Sequence, residues 1–401
     1  MRTFGWPGLA VLALIISAAT YGIVALRPES GLPLPLRGGK APAHERERAD
    51  PVDLHRALNA VVAAGSHGVI AEVRDRGDGS GDGDVWQGTA GLADETTGRP
   101  PTANMHFRVG SLSKTFVAAT ALQLVAEGRL GLDDPVEKYL PRQVAGGRRI
   151  TVRMLMNHTS GVYNFPLAMP SVLRKGERTR AYRPSTLVKV ARLKGRPTFA
   201  PGSDAEYSNT NFVLVSMIIE RVTGNRYDHE VRRRIIEPLG LTETSIPMTP
   251  AMPRPVMHAY LAGGPGRPIM DVTEFNPTRW YGTAQVVSTV SDINTFYDAL
   301  LSGKVLKPAQ LEEMRRVVPD RDLGTDKGWG LGIFRTRLSC GKVIWWHSGN
   351  IPGYRTWAMR DEDGQRSVAL FQAVSAADAT IPAQAFAFRV FCGVPSGTAN
   401  G

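Results

Sequence analysis

Only two cysteines, Cys340 and Cys392, occur in 401 residues. That excludes a disulfide-dense scaffold and a four-thiolate metal site. If the chain is exported, the pair can still form one bridge. The histidines are scattered without paired-ligand spacing, and no His-Glu-x-x-His occurs, so no metal is expected. Phosphate-cradling glycine loops are missing, both the Walker type and Gly-x-Gly-x-x-Gly, so no nucleotide cofactor is expected either. No serine stands in Gly-x-Ser-x-Gly, which removes the nucleophile elbow of one large hydrolase class. Acidic residues are in short supply, 37 against 48 Lys and Arg, for a net charge of +11. Nine basic residues and one acid, Glu177, lie between Arg174 and Arg196. No aromatic-rich RNA motif, zinc-finger spacing or basic zipper accompanies them, so nucleic acid is not an expected partner. The segment reads as a solvated surface, with attraction to an anionic cell surface or wall polymer as the functional alternative.

What is present is the composition of a folded globular protein, 42% hydrophobic and 21% charged. Gly5 to Leu26 runs 22 residues without a charge, after Arg2, and Ser17-Ala18-Ala19 follows its most apolar part. Residues 1–26 are expected to be a cleaved signal peptide or a retained membrane tether through residues 5–26. Either places the protein outside the cytoplasm, secreted or anchored on the cell-wall side. Residues 27–50, with Pro28, Pro33, Pro35, Pro42 and the charged run His44 to Arg48, read as an extended linker. A single folded unit is expected over 51–393, with 394–401 as a flexible tail.

Periodicity divides that unit. Val52 to Ala64 carries a helical face, and Gly68–Val73 and Val85–Leu92 read as strands. Between them, Asp78 to Asp84 superficially matches a calcium loop, but its twelfth position is Thr89 where a bidentate Glu is needed, so a hairpin turn is expected. Ser111–Gly128 is a strong helix. Helical patterns with long loops continue to about Leu301. Four strands are expected at Gly328–Leu338, Lys342–His347, Arg355–Arg360 and Gln365–Val374, then a closing helix at Ile381–Phe391. The fold class is thus α+β: an antiparallel sheet built from both chain ends, flanked by helices, with an inserted helical region at roughly 112–325.

The chemistry begins at Ser111-Leu112-Ser113-Lys114. Serine and lysine three apart at a helix start share one face. The helix N-terminus and a neighbouring amine can each activate the hydroxyl. Alone the pair is weak, since Ser339 and Lys342 repeat its spacing in an expected hairpin. Two further elements follow in order, 96 and then 140 residues apart: Tyr207-Ser208-Asn209, the only Tyr-x-Asn, and His347-Ser348-Gly349, the only Lys/His-Ser/Thr-Gly. This ordered trio resembles the penicillin-recognising serine enzymes. The Tyr-x-Asn version is similar to the branch with class C β-lactamases, Streptomyces-type D-alanyl-D-alanine carboxypeptidases and related esterases. The resemblance spans roughly Val52 to Cys392. It includes Phe107-Arg108-Val109-Gly110-Ser111, Asn157-His158-Thr159-Ser160-Gly161, Ser288-Thr289-Val290-Ser291-Asp292 and Gly328-Trp329-Gly330-Leu331-Gly332.

The resemblance implies a β-lactamase/transpeptidase-like fold and a set of roles. Ser111 attacks a carbonyl to form an acyl-enzyme. Lys114 and Tyr207 handle its proton, with the base left open between them. Asn209 holds the substrate amide, and His347 sits behind Tyr207. Ser348, Gly349 and Asn350 pair with an extended peptide. The backbone N–H groups of Ser111 and Asn350 form the oxyanion hole. His158 reads as a structural turn residue. A carboxypeptidase must also hold a terminal carboxylate. Arg335 is the candidate, with Arg355 the weaker one, unless a one-residue shift turns Phe334 to the site instead. Gln285 stands where relatives often have Gly, so a changed pocket wall is expected, and Trp280 and Tyr163 are candidate lining residues. The expected function is a D-alanyl-D-alanine carboxypeptidase acting on peptidoglycan-type peptides and acylated by β-lactams, as a monomer. A β-lactamase, an esterase or D-amino-acid amidase, and a non-catalytic wall-peptide or penicillin receptor remain alternatives.

Overall fold

The computed structural model describes residues 50–76, 83–174, 176–261, 269–320, 324–374 and 380–392. The N-terminal apolar segment, the linker before residue 50, the centre of the 78–84 turn and the tail after 392 lie outside them. Among the described residues no helix is long and apolar enough to cross a membrane.

Eight strands form one antiparallel sheet: β1 (Ser66–Asp75), β2 (Asp84–Gly91), β3 (Val318–Asp320), β4 (Gly324–Trp329), β5 (Phe334–Arg337), β6 (Val343–Ile351), β7 (Tyr354–Asp361) and β8 (Arg366–Val374). Their order is β2-β1-β8-β7-β6-β5-β4-β3. The central pairing joins the two ends of the chain, with Ile70 opposite Phe371 and Val73 opposite Val368. This is the α+β architecture expected from the sequence, with both chain ends in one sheet. The stretch Gly328–Leu338, expected as one strand, is instead a hairpin of β4 and β5. Gly332 turns it at φ 71°, and a Cβ there would meet Ala118 Cβ at 2.5 Å, so only glycine lets the turn sit on the central helix. The strand expected to end at His347 runs on to Ile351.

The principal helices are α1 (Pro51–Ala63), α2 (Ser113–Ala126), α3 (Pro184–Lys194), α4 (Asn209–Thr223), α5 (Val290–Leu301) and α6 (Thr380–Cys392). Capping fixes several starts: Asp50 accepts from the Val52 amide at 2.8 Å with Pro51 following, and Thr289 accepts from the Asp292 amide. α4 stops at Gly224, φ 79°. Strand alternation sorts side chains to two cores. Val69, Ala71, Val73, Val368 and Leu370 meet Leu54, Leu58 and Val61 of α1 and Phe386 of α6. Ile70, Ala369, Phe371 and Ala373 meet the larger core around α2, α4 and α5. Covering both faces explains why β8 is buried along its whole length. α2 lacks an exposed side through its first three turns, since every residue from Ser113 to Leu122 is buried. A helix buried on every side must lie in the middle of the protein. Cys340, in the turn between β5 and β6, is bonded to Cys392 at the end of α6, with Cα atoms 5.8 Å apart.

Candidate active site

Ser111 lies in a 3₁₀ turn, Gly110–Leu112, that runs directly into α2. The turn is clamped from two sides. Ser113 Oγ donates to the Gly110 carbonyl at 2.8 Å and accepts from the Val286 amide at 3.0 Å. On the other side it touches β6. A Cβ on Gly110 would lie 2.9 Å from the Asn350 amide nitrogen, and one on Gly349 would lie 2.0 Å from the Val109 carbonyl. Two glycines therefore let the strand come close enough to set the Asn350 amide beside Ser111. The ladder from β6 to β5 stops at Trp346, while that to β7 continues to Ile351. Beyond Trp346 the other edge of β6, at Ser348, Gly349 and Asn350, has no ladder partner among the described residues. It is free to pair with an extended ligand.

Lys114 is fully buried. Its Nζ reaches Ser111 Oγ at 2.9 Å, Asn209 Oδ1 at 2.9 Å and the Thr283 carbonyl at 3.0 Å. Burial holds its pKa well below the usual lysine value. A neutral amine satisfies the same three contacts, with two N–H groups for Asn209 and Thr283 and its lone pair toward the Ser111 hydroxyl. The Tyr207 ring centroid lies 4.9 Å from Nζ. Burial pushes the phenol above its ordinary value, and a hydrogen bond with the Ser111 hydroxyl pulls less strongly the other way. Asn209 is oriented by Asn164, whose Oδ1 accepts from the Asn209 backbone amide at 2.9 Å and from its side-chain Nδ2 at 3.1 Å.

The ring found against Tyr207 is that of His158, stacked at 4.5 Å. His347 instead lies 4.7 Å from Phe334, and its Nδ1 donates to the Ser348 carbonyl at 2.6 Å. Burial first and Lys114 second push the His347 pKa down to about 3, so it is uncharged at neutral pH. His158 is more than a turn former. It sits at φ 63°, and its Nδ1 accepts from the Ser208 amide at 3.1 Å and the Asn211 side chain at 3.3 Å. That fixes its tautomer and its ring under Tyr207. Trp329 adds an edge at 5.2 Å from His158.

Arg335, the expected carboxylate holder, is the cross-strand partner of Trp345, which shares a strand face with His347, and the ring of Phe334, partner of Trp346, also contacts His347. Arg355 is the cross-strand partner of Asn350. Gln285 is not a pocket wall. It is fully buried, and its Oε1 accepts from the Tyr227 hydroxyl at 2.5 Å and from the Gly282 amide at 3.1 Å. It thereby braces the loop whose Thr283 carbonyl holds Lys114. Trp280 is buried near Phe165. Tyr163 packs against Gly195, where a Cβ would strike its ring. Sequence reading missed Asn164 and Thr283. Asn164 stands three residues after the Asn157–Gly161 stretch, but Thr283 acts through its backbone and leaves no side-chain signal.

The family model described as Beta-lactamase matches residues 78–381. A D-stereospecific amidohydrolase from Streptomyces sp. superposes with a TM-score of 0.78 at 39% identity, covering 86% of this chain and 99% of that one. A D-amino acid amidase from Ochrobactrum anthropi gives a TM-score of 0.76 at 27% identity, covering 86% and 98%. Penicillin-binding protein 4* of Bacillus subtilis is 28% identical over 299 residues, 71% of this chain but 65% of that protein, so the chain spans less than two thirds of that relative's length. With a single model matching most of its length, the chain belongs to the Beta-lactamase family of serine hydrolases.

Proposed function

We propose that the protein hydrolyses D-amino-acid amides and short peptides with an uncharged end, through an acyl-enzyme on Ser111. The observation that carries this reading is the contact of an uncharged His347 with Phe334 at the third motif. Burial and the nearby Lys114 hold the His347 pKa down to about 3, so it is uncharged at neutral pH, and the Phe334 ring rests on it. His347 and Phe334 themselves offer no charge to a substrate carboxylate, whereas an amide does not need one. The likeness to the Streptomyces amidohydrolase, over 86% of this chain and 99% of that one, supports the same choice.

In this reading Ser111 Oγ attacks the amide carbonyl as its proton passes to neutral Lys114 Nζ. The oxyanion forms between the backbone amides of Ser111 and Asn350, a contribution of about 3–4 kcal/mol in comparable sites. The C–N bond then breaks. The departing amine takes the Tyr207 hydroxyl proton, and the Lys114 ammonium returns a proton to the phenolate. Water attacks the acyl ester by the reverse path and regenerates Ser111. Asn209 holds the substrate amide, and Ser348–Asn350 pair with its backbone. The Cys340–Cys392 bond fits an oxidising compartment, and so supports the export suggested by residues 5–26.

A D-alanyl-D-alanine carboxypeptidase is the second reading. It is favoured by Arg355, which the register sets opposite Asn350. The test is hydrolysis of D-phenylalaninamide, L-phenylalaninamide and an acylated D-Ala-D-Ala by wild type and Ser111→Ala. Preferential D-amide turnover by wild type alone is expected. D-alanine release from the free dipeptide end without D-amide turnover would transfer the assignment to the carboxypeptidase. Rapid accumulation of opened benzylpenicillin, with neither of the others, would make it a β-lactamase.

A further inference from the structure

A cavity of about 490 Å³ lies beside the Ser160–Tyr163 turn. Its wall runs along the Ser160–Tyr163 turn, α3 and residues 197–201, and Thr210 closes it. Ser111, Lys114, Tyr207, Asn209 and His347 do not line it. Thr210 Oγ1 donates to the Tyr163 carbonyl at 2.6 Å and accepts from the Phe165 amide at 3.0 Å. That layer of backbone separates the cavity from Asn209. The volume falls within the ~300–1,000 Å³ range of small-molecule sites.

Its chemistry is two-part. The inner surface is apolar, made by Val144, Ile150, Val162, Tyr163, Val188 and Phe199. Ser160, the inner hydroxyl, already donates to Asn211 Oδ1 at 2.7 Å. The mouth carries two exposed guanidinium groups, Arg149 and Arg192, and no carboxylate residue lines the cavity. Among the described residues, neither arginine has an acidic partner. Arg192 donates to the Arg142 carbonyl at 3.5 Å, the long limit of such a bond. α3 itself belongs to the segment with nine basic residues and one acid, so the local potential favours an anion at this mouth.

We propose that this cavity is a second binding site for a small amphipathic anion, with an apolar or aromatic group inside and a carboxylate on Arg149 and Arg192. The probe is 4-phenylbutyrate, titrated by calorimetry into the full chain, with 4-phenylbutan-1-ol as the uncharged control. The acid is expected to bind about tenfold more tightly than the alcohol, and the gap is expected to close in high salt. The double variant Arg149→Ala/Arg192→Ala alters two exposed side chains, so fold and ester hydrolysis are expected to be unchanged while the preference for the acid disappears. Equal affinity of wild type for acid and alcohol, or no binding of either, would overturn the proposal. So would equal acid affinity in wild type and the double variant. Competitive inhibition of ester hydrolysis that persists in the double variant would place the probe at Ser111 and overturn it as well.

Discussion

Replacing Tyr207 by Phe removes one hydroxyl and little else. The ring is stacked on His158 at 4.5 Å and lies 4.9 Å from Lys114 Nζ, and a phenylalanine ring keeps both contacts. What disappears is a phenol kept neutral by burial and hydrogen-bonded with Ser111. A neutral phenol can give a proton to a leaving group but cannot take one from Ser111. Loss of activity should therefore follow the leaving group's need for a proton. Ammonia or an amine leaves an amide only when protonated, whereas nitrophenolate leaves an ester as the anion. General-acid assistance is worth about 10²–10⁴-fold, or about 3–5 kcal/mol of barrier. Tyr207→Phe is expected to lower kcat/KM for a D-amino-acid amide by that factor and for p-nitrophenyl acetate by less than about tenfold. Deleting the hydroxyl should cost only about 1 kcal/mol of stability, so a thermal melt separates chemistry from unfolding. Equal losses on ester and amide would refute the reasoning, because they would make Tyr207 the base that activates Ser111.

Lys114→Met removes the base, so acylation should fall about 10²–10⁴-fold on ester and amide alike; stopped-flow burst kinetics would reveal it. In wild type, kcat/KM should rise with pH through the Lys114 titration, with a midpoint well below 10.5. His347 has a folded pKa of about 3 against about 6.5 when unfolded. Its stabilising contribution is complete above pH 6.5 and is lost as pH falls toward 3, by up to about 5 kcal/mol. Urea midpoints between pH 4 and 7 should slope accordingly, less steeply for His347→Gln. Gly349→Ala drives a Cβ to within 2.0 Å of the Val109 carbonyl. The strand must retreat from Ser111, with an expected loss of about 100-fold in kcat and about 1–3 kcal/mol in stability, read from kinetics and melting. Replacing Cys340 and Cys392 by Ser opens a loop of 52 residues and should cost about 4 kcal/mol in urea unfolding while leaving activity at 25 °C intact.

Local pattern was enough for much of this. The short apolar runs of β1 and β8, the long apolar stretch of α2 and the ordered trio at Ser111, Tyr207 and His347 all leave a signal in the sequence. The two-ended sheet follows, because apolar strands at both ends of a chain need each other to cover their edges. Which atoms meet across the site did not follow. Residues 111, 164, 209 and 283 meet at Lys114 or Asn209 through loops without periodicity, and Thr283 contributes a carbonyl that any residue carries. Register sets Arg335 on the strand face that Trp345 shares with His347, yet the Phe334 ring reaches His347 as well, a contact that strand alternation does not foretell. His158 and Gln285 could be read only as a turn former and an odd substitution until the fold packed one under Tyr207 and the other against Gly282. The sequence by itself determined the elements, their layering and the reacting groups, because those are properties of neighbours along the chain. Tertiary structure alone decided their protonation and orientation, because desolvation and hydrogen bonding at Lys114, Tyr207 and His347 come from residues distant in sequence, such as Thr283, 169 positions from Lys114.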